Sequence, residues 1–373
     1  MAAGADAMNV VNNFGLDLVN LDGVRRRAVR ITRTRVISGD NLNEFDYKLT
    51  YRFTKQNVGR LVEMFRPRLE HINNRGLPVS PLVQLEMTLA HFAGNNFHRV
   101  SGQSHNIGRA AARNIIMRVT DAIIEYKDQF VYLPSREEMR KTADKMLLKY
   151  KLPNFALAID GIHLRLGGKP HGIPDHHTQQ HYFCRKQFYS INCQVTSNDL
   201  YICDLDMRWP GKAHDSRIYT RSDVKQWLEH QVSFTAAADT AYPQSRVLVK
   251  PFKQNEMAND ERRKRLFNKR LSGLRTAMSE NIFGRWCRRF PIIKDLRTHL
   301  PQSQKTVLAT AILQNIAVQW NEEQVGNDDE EGGGVGDGDG DGVNGGGDGG
   351  GDGVNVALIA GQTLRQLLMD QMP

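Results

Sequence analysis

The chain has 373 residues, 40% of them hydrophobic, which suffices for one large or two modest domains. Its first residues, MAAGADAMNVVNNFGLDL, hold no continuous apolar stretch, and no uncharged apolar run nears the roughly 18 residues of a membrane span, so secretion and membrane insertion are not expected. The net charge of +9 conceals an asymmetry: residues 321–355 carry eleven acids and no Lys or Arg, leaving +20 on the remainder, which points to a polyanionic partner such as nucleic acid or to a solvated basic surface.

Residues 1–45 form a basic N-terminal arm. Within it, GVRRRAVRITRTRVISG (23–39) alternates Arg with β-branched residues and reads equally as a phosphate-contacting arm, a nuclear import signal or an exposed strand. Residues 46–148 carry helical periodicity. Ser80 before Pro81 is a cap followed by a first-turn proline. In IGRAAARNIIMRVTDAIIEY, Ala111, Ile115, Val119 and Ile123 step along one face while Arg109, Arg113 and Arg118 point elsewhere. Residues 97–124 are therefore either a helix-turn-helix offering arginines to DNA or an ordinary helical hairpin with solvated arginines.

From residue 149 to 320 the period changes. FALAIDGIHLRL, FYSINCQVTS, LYICDLDMRW and FTAAADTAY read as four strands in order, with Asn198 and Asp199 turning the chain between the second and third. HDSRIYTRSDVKQWLEHQ reads as helix, and two long helical segments follow, LSGLRTAMSENIFGRWCRRF and QKTVLATAILQNIAVQW. This order predicts an α/β layered domain. The four cysteines show no C-x-x-C pair and are expected to be reduced thiols. Residues 321–356, rich in Gly and Asp, read as a disordered linker; Asp337, Asp339, Asp341, Gly342 and Asp348 mimic the spacing of a calcium loop but lack helical flanks and the bidentate Glu. Residues 357–373 return to helical spacing and are expected to pack back on the body.

Three acids stand where structure alone would not put them. Asp160 lies mid-strand among apolar neighbours, Asp239 ends FTAAAD, and Glu280 sits within a helix, on a face projected to hold Gly273, Thr276, Ala277, Gly284 and Cys287, with Leu271, Met278 and Ile282 opposite. They are 79 and 41 residues apart, so only folding can unite them. Carboxylates about 4 Å apart repel by roughly 4 kcal/mol at an effective dielectric of 20, a penalty a divalent cation removes. Oxygen ligands without a well-placed Cys or His favour Mg²⁺ or Mn²⁺, and two such ions support in-line phosphoryl displacement. The predicted chemistry is metal-dependent cleavage or transfer of a DNA phosphodiester.

AIDGIHLRL, HYFCRKQFYSINCQV, DMRWPGKAHDSRIY, ADTAYP, SENIFGRWCRRFPII and VLATAILQNIA, with the terminal GQTLRQLL, resemble the PIF/Harbinger superfamily of DDE transposases and Harbinger transposase-derived nucleases. The likeness runs in order over about residues 50–320. It implies an RNase H-like fold, a mixed sheet flanked by helices, preceded by an all-α region of helix-turn-helix character. It implies that Asp160, Asp239 and Glu280 are the catalytic, metal-binding acids, served by two Mg²⁺ or Mn²⁺ ions. It also implies transposon terminal inverted repeats and target DNA as substrates, a separately encoded Myb-like partner for DNA recognition and nuclear entry, and a homo-oligomeric, nuclear protein that is otherwise cytoplasmic. A domesticated DNA-binding or chromatin-associated protein without transposition activity is the alternative. Where the family has Leu-His-Asn, this chain has Leu313, Gln314 and Asn315.

Further candidates surround this core. His214 and Asp215 are candidate active-site supports, although Asp215 also suits a helix N-cap over SRIY. His163 should point to the opposite strand face from Asp160 and pack or hydrogen-bond there. His171, His176, His177, His181 and Cys184 lack a clean structural-zinc spacing and read as a solvated loop. Arg185, Lys186 and, in ERRKRLFNKR, Arg263 and Lys264 are expected to touch the DNA backbone or to form a charged helix face. Asp204 and Asp206 share a strand face, so either could approach the site, with solvent exposure the simpler expectation.

Overall fold

A computed structural model describes residues 39, 41–70, 78–170, 173, 176–231, 233–324 and 364–370. The Arg-rich stretch of the N-terminal arm, His171 and the calcium-loop spacing lie outside the described residues. No helix among those described is long and apolar enough to cross a membrane.

The helical region begins with α1 (Glu44–Tyr51), α2 (Lys55–Leu69) and α3 (Pro81–Gly94), each opened by a side-chain cap, from Asn43, Thr54 and Ser80. α3 is buried on nearly every side, so it is the axis around which α2 and α5 pack. α4 (His98–Gln103) is a short helix joined to α5 (Arg109–Ile124) by a turn in which the Ile107 N–H donates to the Gly102 carbonyl at 2.8 Å. A side chain on Gly102 would stand 2.5 Å from the Ile107 carbonyl, so this turn requires glycine. α5 buries Ala112, Ile115, Ile116, Val119 and Ile123. Ala111, expected on that face, is exposed because the buried stripe is offset by one residue. α6 (Lys127–Phe130) and α7 (Arg136–Tyr150) follow, the latter opened by a reciprocal Ser135–Glu138 capping box.

The sheet runs β3-β2-β1-β4-β5. β1 (Phe155–Arg165), β2 (Ser190–Ser197) and β3 (Ile202–Pro210) form an antiparallel meander, after α8 (His176–Gln180) in the β1–β2 connection. The Asn198 side-chain oxygen accepts from the Leu200 and Tyr201 N–H groups and so makes the β2–β3 turn. β4 (Thr235–Ala237) joins β1 in parallel and β5 (Leu248–Val249) joins β4 in parallel. A three-stranded antiparallel meander extended by parallel strands and flanked by helices is an RNase H-like α/β fold, as the motifs implied. β5 was not expected, since two residues carry no period. The segment 214–231 is two helices, α9 (Asp215–Thr220) and α10 (Asp223–Glu229), because Ser222 caps the second and breaks the first.

α11 (Glu261–Arg275) and α12 (Asn281–Arg289) are separated by a π-helical turn, Thr276–Glu280, and α13 (Leu300–Gln319) is buried along most of its length. Asn315 on α13 clamps the sheet edge, accepting from the Ile202 N–H and donating to the Ile202 and Phe130 carbonyls. One continuous apolar core includes Leu61, Phe92 and Val119 of the helical region with Ile191 and Val195 of the sheet and Trp286 and Ile312 behind it, crossing the 148/149 boundary. A second core, with Phe155, Ala158, Ala237, Phe267 and Leu271, buries Leu368 and Met369 of the C-terminal helix, residues 364–370. The acidic tract starts later than read: Glu322 is buried, pairs with Lys48 at 3.3 Å and accepts from Thr54 and Asn57, which anchors this end of α13 to the first helices.

Candidate active site

β1 and β4 bring two of the three acids together. Their parallel register pairs Ala158 with Ala237, so two residues further along each chain Asp160 and Asp239 stand side by side, on the sheet face covered by α11. Each is fixed by its own backbone: Asp160 Oδ1 accepts from the Gly161 N–H at 3.0 Å and Asp239 Oδ1 from the Ala241 N–H at 2.8 Å. Burial pushes the Asp160 carboxyl up to about 6; Arg275 opposes that shift and the charge of Asp239 adds to it. The Arg275 guanidinium, at the end of α11, reaches Asp160 Oδ2 at 3.2 Å.

Asp215 enters the field of Asp239 from the far side of Gly161. The helix N-cap position belongs to His214, which makes no side-chain cap bond, so the capping role considered for Asp215 is not what the structure shows. Instead Asp215 Oδ1 accepts from Asn192 Nδ2 at 2.8 Å, and Asn192 also donates to the Ala213 carbonyl. Gly161 makes the approach feasible, since a Cβ there would stand 2.8 Å from Asp215 Oδ1. Burial raises the Asp215 pKa, Asn192 lowers it and Asp239 raises it again, so Asp239 lies in the field of both other aspartates. Beneath them the Tyr242 hydroxyl is buried without a hydrogen-bond partner, and burial with the charges of Asp215, Asp160 and Asp239 drives its pKa far up.

Glu280 stands apart. The π turn adds a residue to one turn of the helix, so the 100° projection fails there; Glu280 is exposed and accepts from Thr276 Oγ1 at 3.1 Å. Among the described residues no three His, Cys, Asp or Glu side chains are grouped closely enough to hold a metal ion. The donors present nonetheless fit a hard divalent cation in kind: Asp160 and Asp239 offer only oxygen, and burial resists the charge of Asp160 even with Arg275 beside it.

His163 projects away from Asp160, meets Ser190 Oγ at 3.1 Å and packs edge-on against Phe188. His214, Arg185 and Lys186 are exposed, and the charge of Arg185 reaches Asp215. Arg109, Arg113 and Arg118 are exposed on α5. Arg263 and Lys264 are engaged within the chain: Arg263 pairs with Asp260 and Asp370 and donates to the Met369 carbonyl, while Lys264 caps the Glu256 and Ala258 carbonyls. Asp204 and Asp206 are not solvent-exposed as expected. Asp206 is buried in a bidentate pair with Arg208 and accepts from Trp209 Nε1, and burial pushes Asp204 up to about 6. Cys184, Cys193 and Cys203 are buried free thiols and Cys287 is a half-buried one; His177 and His181 are exposed. Arg275, Asn192 and Tyr242 were missed by sequence reasoning. Tyr242 lay inside the quoted ADTAYP, and an unpaired acid such as Asp160 was itself a signal to seek a cation.

Residues 159–315 match the family model described as DDE superfamily endonuclease. Such endonucleases generally use divalent metal ions. The chain is similar to "Putative nuclease HARBI1" of Homo sapiens, 24% identical over 284 residues that cover 72% of this chain and 76% of that protein. It is also similar to the proteins of that name from Rattus norvegicus (25% over 187 residues, 48% of this chain and 50% of that protein) and Xenopus laevis (23% over 290 residues, 74% and 78%). The chain thus spans half the length of the rat relative in that match. These findings bear out the Harbinger resemblance read from the motifs. No solved structure matches the chain.

Proposed function

We propose that this chain is a metal-dependent DNA endonuclease that cuts phosphodiesters at transposon ends and transfers the freed strand to target DNA. The observation that carries this reading is the placement of Asp160, in the middle of β1, beside Asp239, just past the end of the neighbouring parallel β4, where burial resists the charge of Asp160. Asp160 and Asp239, with Glu280 brought in by movement of the π turn, would hold two Mg²⁺ or Mn²⁺ ions. Those ions would supply an activated water and shield charge on the leaving oxygen. Asn192 holds Asp215 beside this centre, from where it orients water or a substrate phosphate, with His214 adjacent. Arg275 neutralises Asp160 until that carboxylate takes a cation. Water attacks the phosphorus, the 3′ oxygen leaves with a proton, and the resulting 3′ hydroxyl attacks a target-strand phosphorus, giving up its proton as that strand's own 3′ oxygen is displaced and protonated. The +20 body, including Arg109, Arg113, Arg118, Arg185 and Lys186, supports DNA as the substrate. Nuclear location, self-association and a Myb-like partner extend this reading from the family likeness.

A second reading is favoured by the Arg275–Asp160 pair and by the position of Glu280: a Harbinger-derived DNA-binding or chromatin-associated protein that does not cut. Divalent-dependent nicking of element-end DNA, with the partner supplied, separates the two. Cleavage by the intact chain that falls at least about 100-fold in Asp160→Asn, a loss on the scale of removing metal and general acid–base assistance, supports the enzyme. Absence of cleavage by the intact chain, with DNA binding retained, supports the second reading.

A further inference from the structure

α12 leaves the Glu280 turn carrying Arg285, Arg288 and Arg289, and the left-handed residue after α1, Arg52 (φ 67°), meets the same place: Arg52, Arg288, Arg289 and Gln324 line one narrow cleft. Arg289 is buried and fully used, donating to Gln314 and to the Arg52 and Glu322 carbonyls, all neutral acceptors. Arg52 and Arg285 are half-buried, and each has a buried Nε without a hydrogen-bond partner. Among the described residues neither guanidinium makes a hydrogen bond or an ion pair. The acids whose fields reach Arg289 and Arg285 are already claimed: Glu322 by Lys48, Thr54 and Asn57, and Asp199 by Lys145 at 3.0 Å and Thr142. Burial depresses the pKa of Arg52, Arg285 and Arg289, and Arg288 adds to the depression of Arg285. Among the described residues four guanidiniums are thus gathered with no anion hydrogen-bonded to them, which costs free energy unless one is supplied.

The cluster also has a direction. Glu280, Gly284 and Arg288 follow at four-residue steps along α12 and its preceding turn. The side-chain atoms nearest a Cβ on Gly284 would be those of the Arg288 guanidinium, at 3.5 to 3.9 Å, so that guanidinium lies over Gly284, back toward Glu280.

We propose that Arg52, Arg285 and Arg288 form a binding site for the DNA phosphate backbone, a track running from the Glu280 turn along α12. This rests on the endonuclease reading for its ligand, but it is independent of cleavage. Arg289 and Gln324 hold the site in shape: Gln324 accepts from Arg288 Nε and donates to the Arg285 carbonyl.

The test measures anisotropy of a labelled duplex with metal-free protein across a salt series, comparing the chain with Arg285→Gln/Arg288→Gln. Removing two phosphate contacts should lower the slope of log affinity against log salt by about 2 and weaken binding about tenfold or more at moderate salt. Because like charges are removed, the double variant should melt no lower than the parent, and inorganic phosphate should raise the parent's melting midpoint more than the variant's. An unchanged slope and affinity in a variant that melts normally overturns the proposal, as does an intact chain that binds no duplex. If the chain binds with an arginine-dependent slope but never nicks, the endonuclease reading fails while this site stands; if it nicks and the slope is indifferent, this site alone fails.

Discussion

Asp160 and Asp204 are both held up to about 6 by burial, yet they differ in company: Asp239 adds to the shift at Asp160, and Asp206 to that at Asp204. For Asp204 the folded value lies above its ordinary 3.8, so the folded chain binds more protons between about pH 4 and 6. The stability this group contributes is present below that window and is lost as pH rises through it. Asp204→Asn should therefore melt higher than the parent at pH 7.5 and lose that advantage at pH 4, as a calorimetric pH series would show. Mn²⁺ should raise the midpoint of Asp204→Asn by as much as that of the parent, whereas Asp160→Asn should lose the rise. Equal responses in the two variants would deny Asp160 its proposed role. The sequence exposed Asp160 through its apolar setting, but it concealed the burial of Asp204 and Asp206, because period-2 alternation cannot say that Arg208 and Trp209 fold back over the second acid.

At the scale of elements, the long strands and helices were legible because β1, β2 and β3 each repeat their pattern over eight or more residues. β5 and the π turn were not, since two residues carry no period and one inserted residue shifts every later side chain on the helix by about 100°. That shift is why Glu280 emerges in solvent rather than beside the other acids. The Leu313-Gln314-Asn315 segment illustrates how an element is pinned. Gln314 accepts from buried Arg289, and Asn315 supplies three buried hydrogen bonds that tie α13 to β3 and α6. Asn315→Ala would strand the Ile202 N–H and two carbonyls at a cost of about 2 to 4 kcal/mol. Urea unfolding should show this as a lower midpoint with an unchanged slope.

Across the molecule, the helical region and the sheet share one apolar core, so destabilising α3 or α5 should loosen the platform that presents Asp160 and Asp239. The exposed arginines on α5, Arg185 near Asp215, and the arginine cluster of Arg52 and α12 would suit the polyanionic substrate proposed above. Composition made the basic body visible, but not which cations are spent internally; Arg263 and Lys264 brace the C-terminal helix and the loop before α11, while among the described residues Arg52 and Arg285 find no acceptor. The proposed chemistry depends on Asp160 and Asp239 taking up cations. The direct measurement is Mn²⁺ titration of the intact chain read by electron paramagnetic resonance of the free ion, alongside Asp160→Asn/Asp239→Asn. Saturable uptake by the parent that disappears in the double variant is the predicted result; no uptake by the folded parent, or equal uptake by both proteins, would contradict it.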